Sequence, residues 1–197
     1  GDVNGISYEL IIKLLAENRI CELCVPILYG SPKVAAYYRK VLNIENFSLN
    51  TIREPGEANG KRSNIINCVD DNVKVDLGKE TPESDQATMI ALKYALDQLD
   101  RDEIDVLTLA PQGPNAFFTE EAGSLVEYLS KRYNTTDIMS ILVSEKMKMG
   151  FVTEQVKLRD VPHQVTQKNI FKKLTLLDDT LRQDFTILKP KIAVLGL

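Results

Sequence analysis

Apolar residues recur along this chain at two different spacings. Three-and-four spacing marks amphipathic helices over residues 8–16, through Val34, Ala35, Tyr38 and Leu42, and through Ile170, Leu174, Leu177, Leu181 and Phe185. Ser31-Pro32 and Thr81-Pro82 each put a capping hydroxyl ahead of a proline at the first helical position, so helices are expected from Pro32 and from Thr81 to about Leu99. Thr166 is the expected cap of the last helix. Thr119 is expected to open another, with Ala122, Leu125, Val126, Leu129 and Tyr133 on one face. Short apolar runs predict strands over residues 24–29, 47–52, 65–69 and 105–110. Residues 138–143 and 147–152 flank the polar turn Ser144-Glu145-Lys146 and are expected to pair antiparallel.

The alternation of helix and strand signals predicts an α/β fold, with a mostly parallel sheet covered by helices and some antiparallel strands. Residues 191–197 form a continuous apolar run, read as a strand buried on both faces. Ligand groups of open α/β sheets sit beyond the carboxyl ends of the strands, so a chain ending on this strand is expected to lack a site loop.

Composition narrows the function classes. The 197 residues are 44% hydrophobic and 26% charged, which suits a folded chain with a sizeable core and excludes wholesale disorder. A net charge of −4 with no basic stripe argues against nucleic acid as a partner, because that affinity comes from Lys and Arg neutralising phosphates. No apolar run reaches the ~18 residues of a membrane span, and the opening residues do not read as a signal peptide. Three cysteines, an odd number, fit a reducing compartment, so the cytoplasm is the expected location.

Few residues carry obvious chemistry. His163 is the single histidine, and no second one exists to share a metal with it; it reads as a loop residue, the alternative being a general base with an orienting carboxylate. Cys21 and Cys24 have redox-motif spacing but lie at a helix end and a strand start. A thioredoxin-type pair needs the reverse order, so both read as structural. The adjacent acids Asp70-Asp71, Glu120-Glu121 and Asp178-Asp179 read as solvated faces, and no Gly-x-Ser-x-Gly elbow is present. The stretch from Gly1 to Glu9 leaves two readings open. It is either a turn with a helix cap, or a loop that lets an anion approach the helix amino terminus.

Several of these pieces form one ordered pattern. Asp2, Gly5 and Glu9 come first, then Pro26-Ile-Leu-Tyr-Gly-Ser-Pro-Lys33, Leu109-Ala110-Pro111, Val152-Thr153, Leu158-Arg159-Asp160-Val161, Val165-Thr166 and Pro190 to Leu197. This order resembles the 4-hydroxythreonine-4-phosphate dehydrogenase family of vitamin B6 (pyridoxal phosphate) biosynthesis. Residues 1–197 read as one α/β/α region matching the amino-terminal and central parts of the family pattern. The resemblance implies a three-layer α/β/α fold like that of the isocitrate and isopropylmalate dehydrogenases, and a homodimer with sites at the subunit interface. It also implies NAD and a divalent metal as cofactors. The implied reaction oxidises a secondary hydroxyl of a phosphorylated hydroxy amino acid and then decarboxylates it.

Departures from the family pattern fall at its site positions. The family's Gly-His-Thr-Glu, aligned on Glu127, puts Leu125 and Val126 where the resemblance implies substrate contacts. Its metal-binding Thr-x-His corresponds to Thr153-Glu154-Gln155, and a lysine after its Ala-Pro corresponds to Pro114. Gln155 offers a neutral amide where imidazole is implied, a poor ligand for a transition metal. The remaining metal histidines of the pattern would lie beyond Leu197. No intact catalytic residue and no metal site are therefore expected. The chain alone is expected to be inactive, with a small phosphorylated ligand near Gly5 and Gly113 as the binding expectation. One reading is a piece of an enzyme of this family. The other is a degenerate paralogue that binds or assembles without chemistry. A binding module unrelated to the family would show a different strand order.

Overall fold

The computed structural model describes residues 1–17, 19–70, 72–113, 115–117, 122–154 and 156–196. They form two compact units, residues 1–123 and 124–197, with a boundary that no linker composition marks. Among the described residues no helix is long and apolar enough to cross a membrane.

The first unit holds α1 (Ser7–Ala16), α2 (Ile20–Leu23), β1 (Ile27–Gly30), α3 (Pro32–Val41), β2 (Asn50–Ile52), β3 (Asn64–Asn67) and α4 (Pro82–Leu99). The strands make a parallel sheet in the order β1-β3-β2, with Leu28 opposite Ile65 and Ile52 opposite Ile66. Parallel strands need crossovers that carry helices, and α3 supplies the one between β1 and β2. Both expected caps are in place: Ser31 Oγ accepts from the Val34 N–H at 3.4 Å and Thr81 Oγ1 from the Ser84 N–H at 3.2 Å.

Helix α1 packs on α3, and α4 on β1. Ile12, Ile65 and Ile66 are no more than 1% exposed. Each contributes roughly 2–3 kcal/mol by leaving water. The Tyr8 and Tyr38 rings stack at 5.5 Å, and the Tyr8 hydroxyl accepts the Ser31 N–H at 3.0 Å. Gly30 is required by that approach, because a Cβ there would stand 2.2 Å from Tyr8 Oη. Asn64, fully buried, has its Oδ1 taken by Asn50 Nδ2 and the Asn59 N–H, both at 2.9 Å. Its amide group donates to the carbonyls of Pro26, Asn59 and Arg62, so one side chain closes the start of the sheet.

The second unit holds α5 (Leu125–Arg132), β4 (Ile141–Val143), β5 (Lys148–Gly150), α6 (Val161–Gln164) and α7 (Gln167–Gln183). β4 and β5 pair antiparallel as expected, and the Ser144 N–H donates to the Met147 carbonyl at 2.8 Å to close the turn. Thr166 caps α7 through the Asn169 N–H at 3.2 Å.

Three expectations need correction. Residues 105–110 join no ladder among the described residues, and Val106 is 74% exposed. Residues 191–196 join none either, with Leu195 88% exposed, while Leu197 lies outside the described residues. An apolar run becomes a strand only where a neighbour completes its backbone bonds, and neither run has one among the described residues. Helix α5 starts after Ser124, whose hydroxyl accepts the Glu127 N–H at 3.2 Å, rather than at Thr119. Ala122 is buried ahead of that helix, and Thr119, Glu120 and Glu121 lie outside the described residues.

Candidate functional site

The loop before α1 is fastened from several directions. Asp2 Oδ1 accepts from the Asn4 N–H at 2.9 Å and from Ser84 Oγ at 2.8 Å. Asn4 donates through Nδ2 to Thr81 Oγ1 at 3.2 Å, while its Oδ1 accepts the Asp76 N–H at 2.8 Å. The Tyr38 hydroxyl donates toward the carbonyls of Val3, at 2.8 Å, and Gly5, at 3.1 Å. Burial pushes that phenol up to about 12. At the start of α1, the buried Ser7 Oγ donates to the Pro111 carbonyl at 2.9 Å and accepts from Gln112 Nε2 at 3.3 Å. This bond draws the 111–113 loop over the helix end.

Asp2, Gly5 and Gly113 therefore meet. A Cβ at Gly5 would stand 2.3 Å from Asp2 Oδ2, which explains the glycine there. One at Gly113 would stand 3.6 Å from Asp2 Oδ2 and 3.9 Å from Asp85 Oδ1. Glu9 is not part of this group; it pairs with Lys13 at 2.5 Å on the outer side of α1. Ser84, Asp85, Asn4 and Tyr38 also belong to this group, and nothing in their sequence setting marks them for it. Ser84 and Asp85 sit in the first turn of α4, where an acid is ordinary compensation for the helix dipole and raises no flag.

The charge of this group is negative. Burial, then the charges of Asp2 and Glu80, holds the Asp85 carboxyl above the usual carboxylate range. Such a surface suits a cation or an ammonium group, and it repels a phosphate dianion unless the phosphate is turned away.

The other sequence candidates fall in the second unit or outside the described residues. Leu125 and Val126 are the first residues of α5, half-buried and without polar side-chain atoms. Pro114 and Gln155 lie outside the described residues. Beside the latter, Glu154 accepts from the Ser140 N–H at 2.8 Å and from the Ser140 hydroxyl. His163 is exposed in α6. Among the described residues no group of three or more His, Cys, Asp or Glu side chains could hold a metal ion, so the donors present do not fit the divalent metal that the resemblance implies. Cys21, Cys24 and Cys68 are free thiols, and burial pushes the Cys68 thiol up to about 11.

Comparison with known proteins follows the same line. Residues 22–197 match the family described as pyridoxal phosphate biosynthetic protein PdxA. A 4-hydroxythreonine-4-phosphate dehydrogenase of Bacteroides thetaiotaomicron is 38% identical over 201 residues, covering 100% of this chain and 55% of that protein. One of Aquifex aeolicus is 29% identical over 202 residues, covering 100% of this chain and 60% of its own length. Among solved structures, a 4-hydroxythreonine-4-phosphate dehydrogenase from Burkholderia phymatum superposes with a TM-score of 0.80 at 18% identity, over 97% of this chain and 58% of that one. One from Klebsiella pneumoniae gives 0.77 at 22% identity, over 92% and 56%. The chain thus spans little more than half the length of these relatives. The fold likeness and the family match agree across nearly all of the sequence, and the chain belongs to the pyridoxal phosphate biosynthetic protein PdxA family.

Proposed function

We propose that this chain is a portion of an oxidoreductase of pyridoxal phosphate biosynthesis, acting on a phosphorylated hydroxy amino acid. The observation that carries this is the family match over residues 22–197, supported by 38% identity to a relative named 4-hydroxythreonine-4-phosphate dehydrogenase. NAD, a divalent metal, a homodimer and a cytoplasmic setting belong to the proposal for the family-length protein. No group of His, Cys, Asp or Glu that could hold that metal is present among the described residues. Within the first unit, Asp2 and Asp85 suit the ammonium end of such a substrate better than its phosphate.

The 197-residue chain by itself is proposed to be inactive. Leu125 and Val126 offer neither donor nor acceptor where the family pattern holds substrate, and Gln155 replaces an imidazole. The purified chain with 4-hydroxythreonine 4-phosphate, NAD and Mg²⁺, Mn²⁺ or Zn²⁺ is expected to give no NADH absorbance above background. Sustained turnover would overturn that. A zinc titration showing a tight stoichiometric site would contradict the reading of Gln155.

The degenerate-paralogue reading has its own support in the cap of α5. Ser124 keeps the helix start while the two residues after it are apolar, so the fold is retained where the contacts are not. It predicts binding heat for substrate or NAD in calorimetry with no NADH formed.

A further inference from the structure

The sequence contains two Asn-Gly pairs, Asn4-Gly5 and Asn59-Gly60, and the fold treats them oppositely. Asparagine before glycine is the pairing most open to spontaneous loss of the side-chain amide, because no Cβ on the glycine shields its backbone nitrogen from the asparagine Cγ. Asn4 is 4% exposed, and both ends of its amide are held by residues outside its own loop, Nδ2 by Thr81 Oγ1 and Oδ1 by the Asp76 N–H. Asn59 and Gly60 are both exposed, in the loop between β2 and β3.

That loop presents the reacting atoms. The Gly60 N–H, the nucleophile, has no hydrogen-bond partner among the described residues, and neither has Asn59 Nδ2, the leaving group. Asn59 Oδ1 accepts the Lys61 N–H at 2.9 Å, so a backbone donor already stands at the atom on which negative charge develops when Cγ is attacked. One restraint opposes the reaction. The attack needs the Asn59 carbonyl to swing, and that carbonyl accepts from Asn64 Nδ2 at 3.1 Å and from the Arg62 N–H at 3.3 Å. Both bonds lie at or beyond the long end of the usual range, so they slow the swing without the hold that Asn4 experiences.

We propose that Asn59 is a deamidation site, converting to isoaspartate and aspartate in the folded chain while Asn4 is preserved. The Gly60 nitrogen bonds to Asn59 Cγ and loses its proton to solvent base. The Cγ–Nδ2 bond breaks, ammonia leaves, and a five-membered succinimide closes. Water then opens the ring. Addition at Cγ breaks its new bond to nitrogen and yields aspartate. Addition at the Asn59 main-chain carbonyl breaks the original peptide bond and leaves the chain running through Cγ, an isoaspartyl link one carbon longer. Water is the only reactant added. The isoaspartyl form disturbs the grip of Asn64, whose Oδ1 and Nδ2 hold the Asn59 N–H and carbonyl at the start of the sheet.

The test incubates the purified 197-residue chain in warm, mildly alkaline buffer and follows the peptides spanning Asn4 and Asn59 by mass spectrometry, with electron-transfer fragmentation to separate isoaspartate from aspartate. Conversion at Asn59 is expected to run at least tenfold faster than at Asn4, with isoaspartate the larger product. Gly60→Ala is expected to slow it at least tenfold. That variant suits the fold, since a Cβ at Gly60 would meet Val25 Cγ2 alone, at an ordinary 3.8 Å. No conversion at Asn59, equal conversion at both asparagines, or an unslowed Gly60→Ala variant would overturn the assignment. In urea the two pairs are expected to convert at similar rates; a contrast that survives unfolding would trace the difference to flanking sequence and overturn the structural argument.

Discussion

Residues 1–123 and 124–197 carry equally clear apolar periodicity, yet they bury it to different depths. In the first unit the parallel sheet and its helices bring Ile65, Ile66 and Tyr8 to 1% exposure. In the second, Leu181 is the one buried hydrophobic among the described residues, while Phe171 is 72% exposed and Leu188 80%. Crossovers between parallel strands usually carry helices, as α3 does between β1 and β2, so strand pairing and coverage tend to arrive together. A two-stranded antiparallel pair such as β4–β5 brings no such cover and is marginal alone. Helix α7 reaches it through Leu177, whose Cδ2 would lie 3.7 Å from a Cβ at Gly150, and its Lys173 bonds the Ile138 carbonyl ahead of β4. Periodicity therefore reports which face needs a partner; the topology decides whether one is present.

The sharpest way to break this contrast is to truncate one apolar side chain in each unit. Ile65→Ala is expected to cost about 4 kcal/mol, since a fully buried site cannot collapse around the lost atoms. The half-buried Leu174→Ala is expected to cost about 1 kcal/mol. Urea unfolding followed by hydrogen exchange in each unit measures both, and similar losses would mean that the two units are packed alike.

A smaller effect tests whether the loop before α1 belongs to the well-packed unit. Gly5→Ala forces Asp2 out of its bonds to Asn4 and Ser84 and is expected to destabilise by about 2 kcal/mol. Amide exchange should quicken around Asp2, Asn4 and Ser84 and stay unchanged in α7. An unchanged rate at Ser84 would show that the carboxylate is not held as described.

The smallest expected effect is that of Tyr38→Phe, about 1 kcal/mol at neutral pH for the lost bonds to Val3 and Gly5. Its signature is the pH dependence. Burial raises the Tyr38 phenol from its ordinary 10 to about 12, so the fold favours the neutral form. Its contribution is fully present below pH 10 and is lost as pH rises towards 12. The variant should show a shallower decline over that range in circular dichroism, the remainder belonging to Tyr8 and Tyr29, which burial also raises.

Local chemistry was the legible part of the fold. Ser31, Thr81 and Thr166 cap helices because the hydroxyl bonds an N–H three residues on, and that spacing is visible in the sequence. The turn at Ser144 was legible for the same reason. Residues 105–110 and 191–196 misled because apolar composition states a preference while a ladder requires a neighbour. In the loop before α1, Asp2, Gly5 and Gly113 were foreseen as one region. Ser84 was not, because its bond to Asp2 spans 82 residues of chain, and Tyr38 reaches Gly5 from 33 away. Asn64 reads as an ordinary polar residue until its burial is seen.

The fit between Gly30 and Tyr8 also sets the order in which this sequence can change. A methyl group at position 30 collides with the Tyr8 hydroxyl, so alanine there is tolerated only in a background where Tyr8 has already lost that oxygen. Tyr8→Phe in turn leaves the Ser31 N–H without its acceptor at the entry to α3. The direct exchange at position 30 is closed, and the indirect one passes through a less stable intermediate. Positions 8 and 30 therefore drift as a pair.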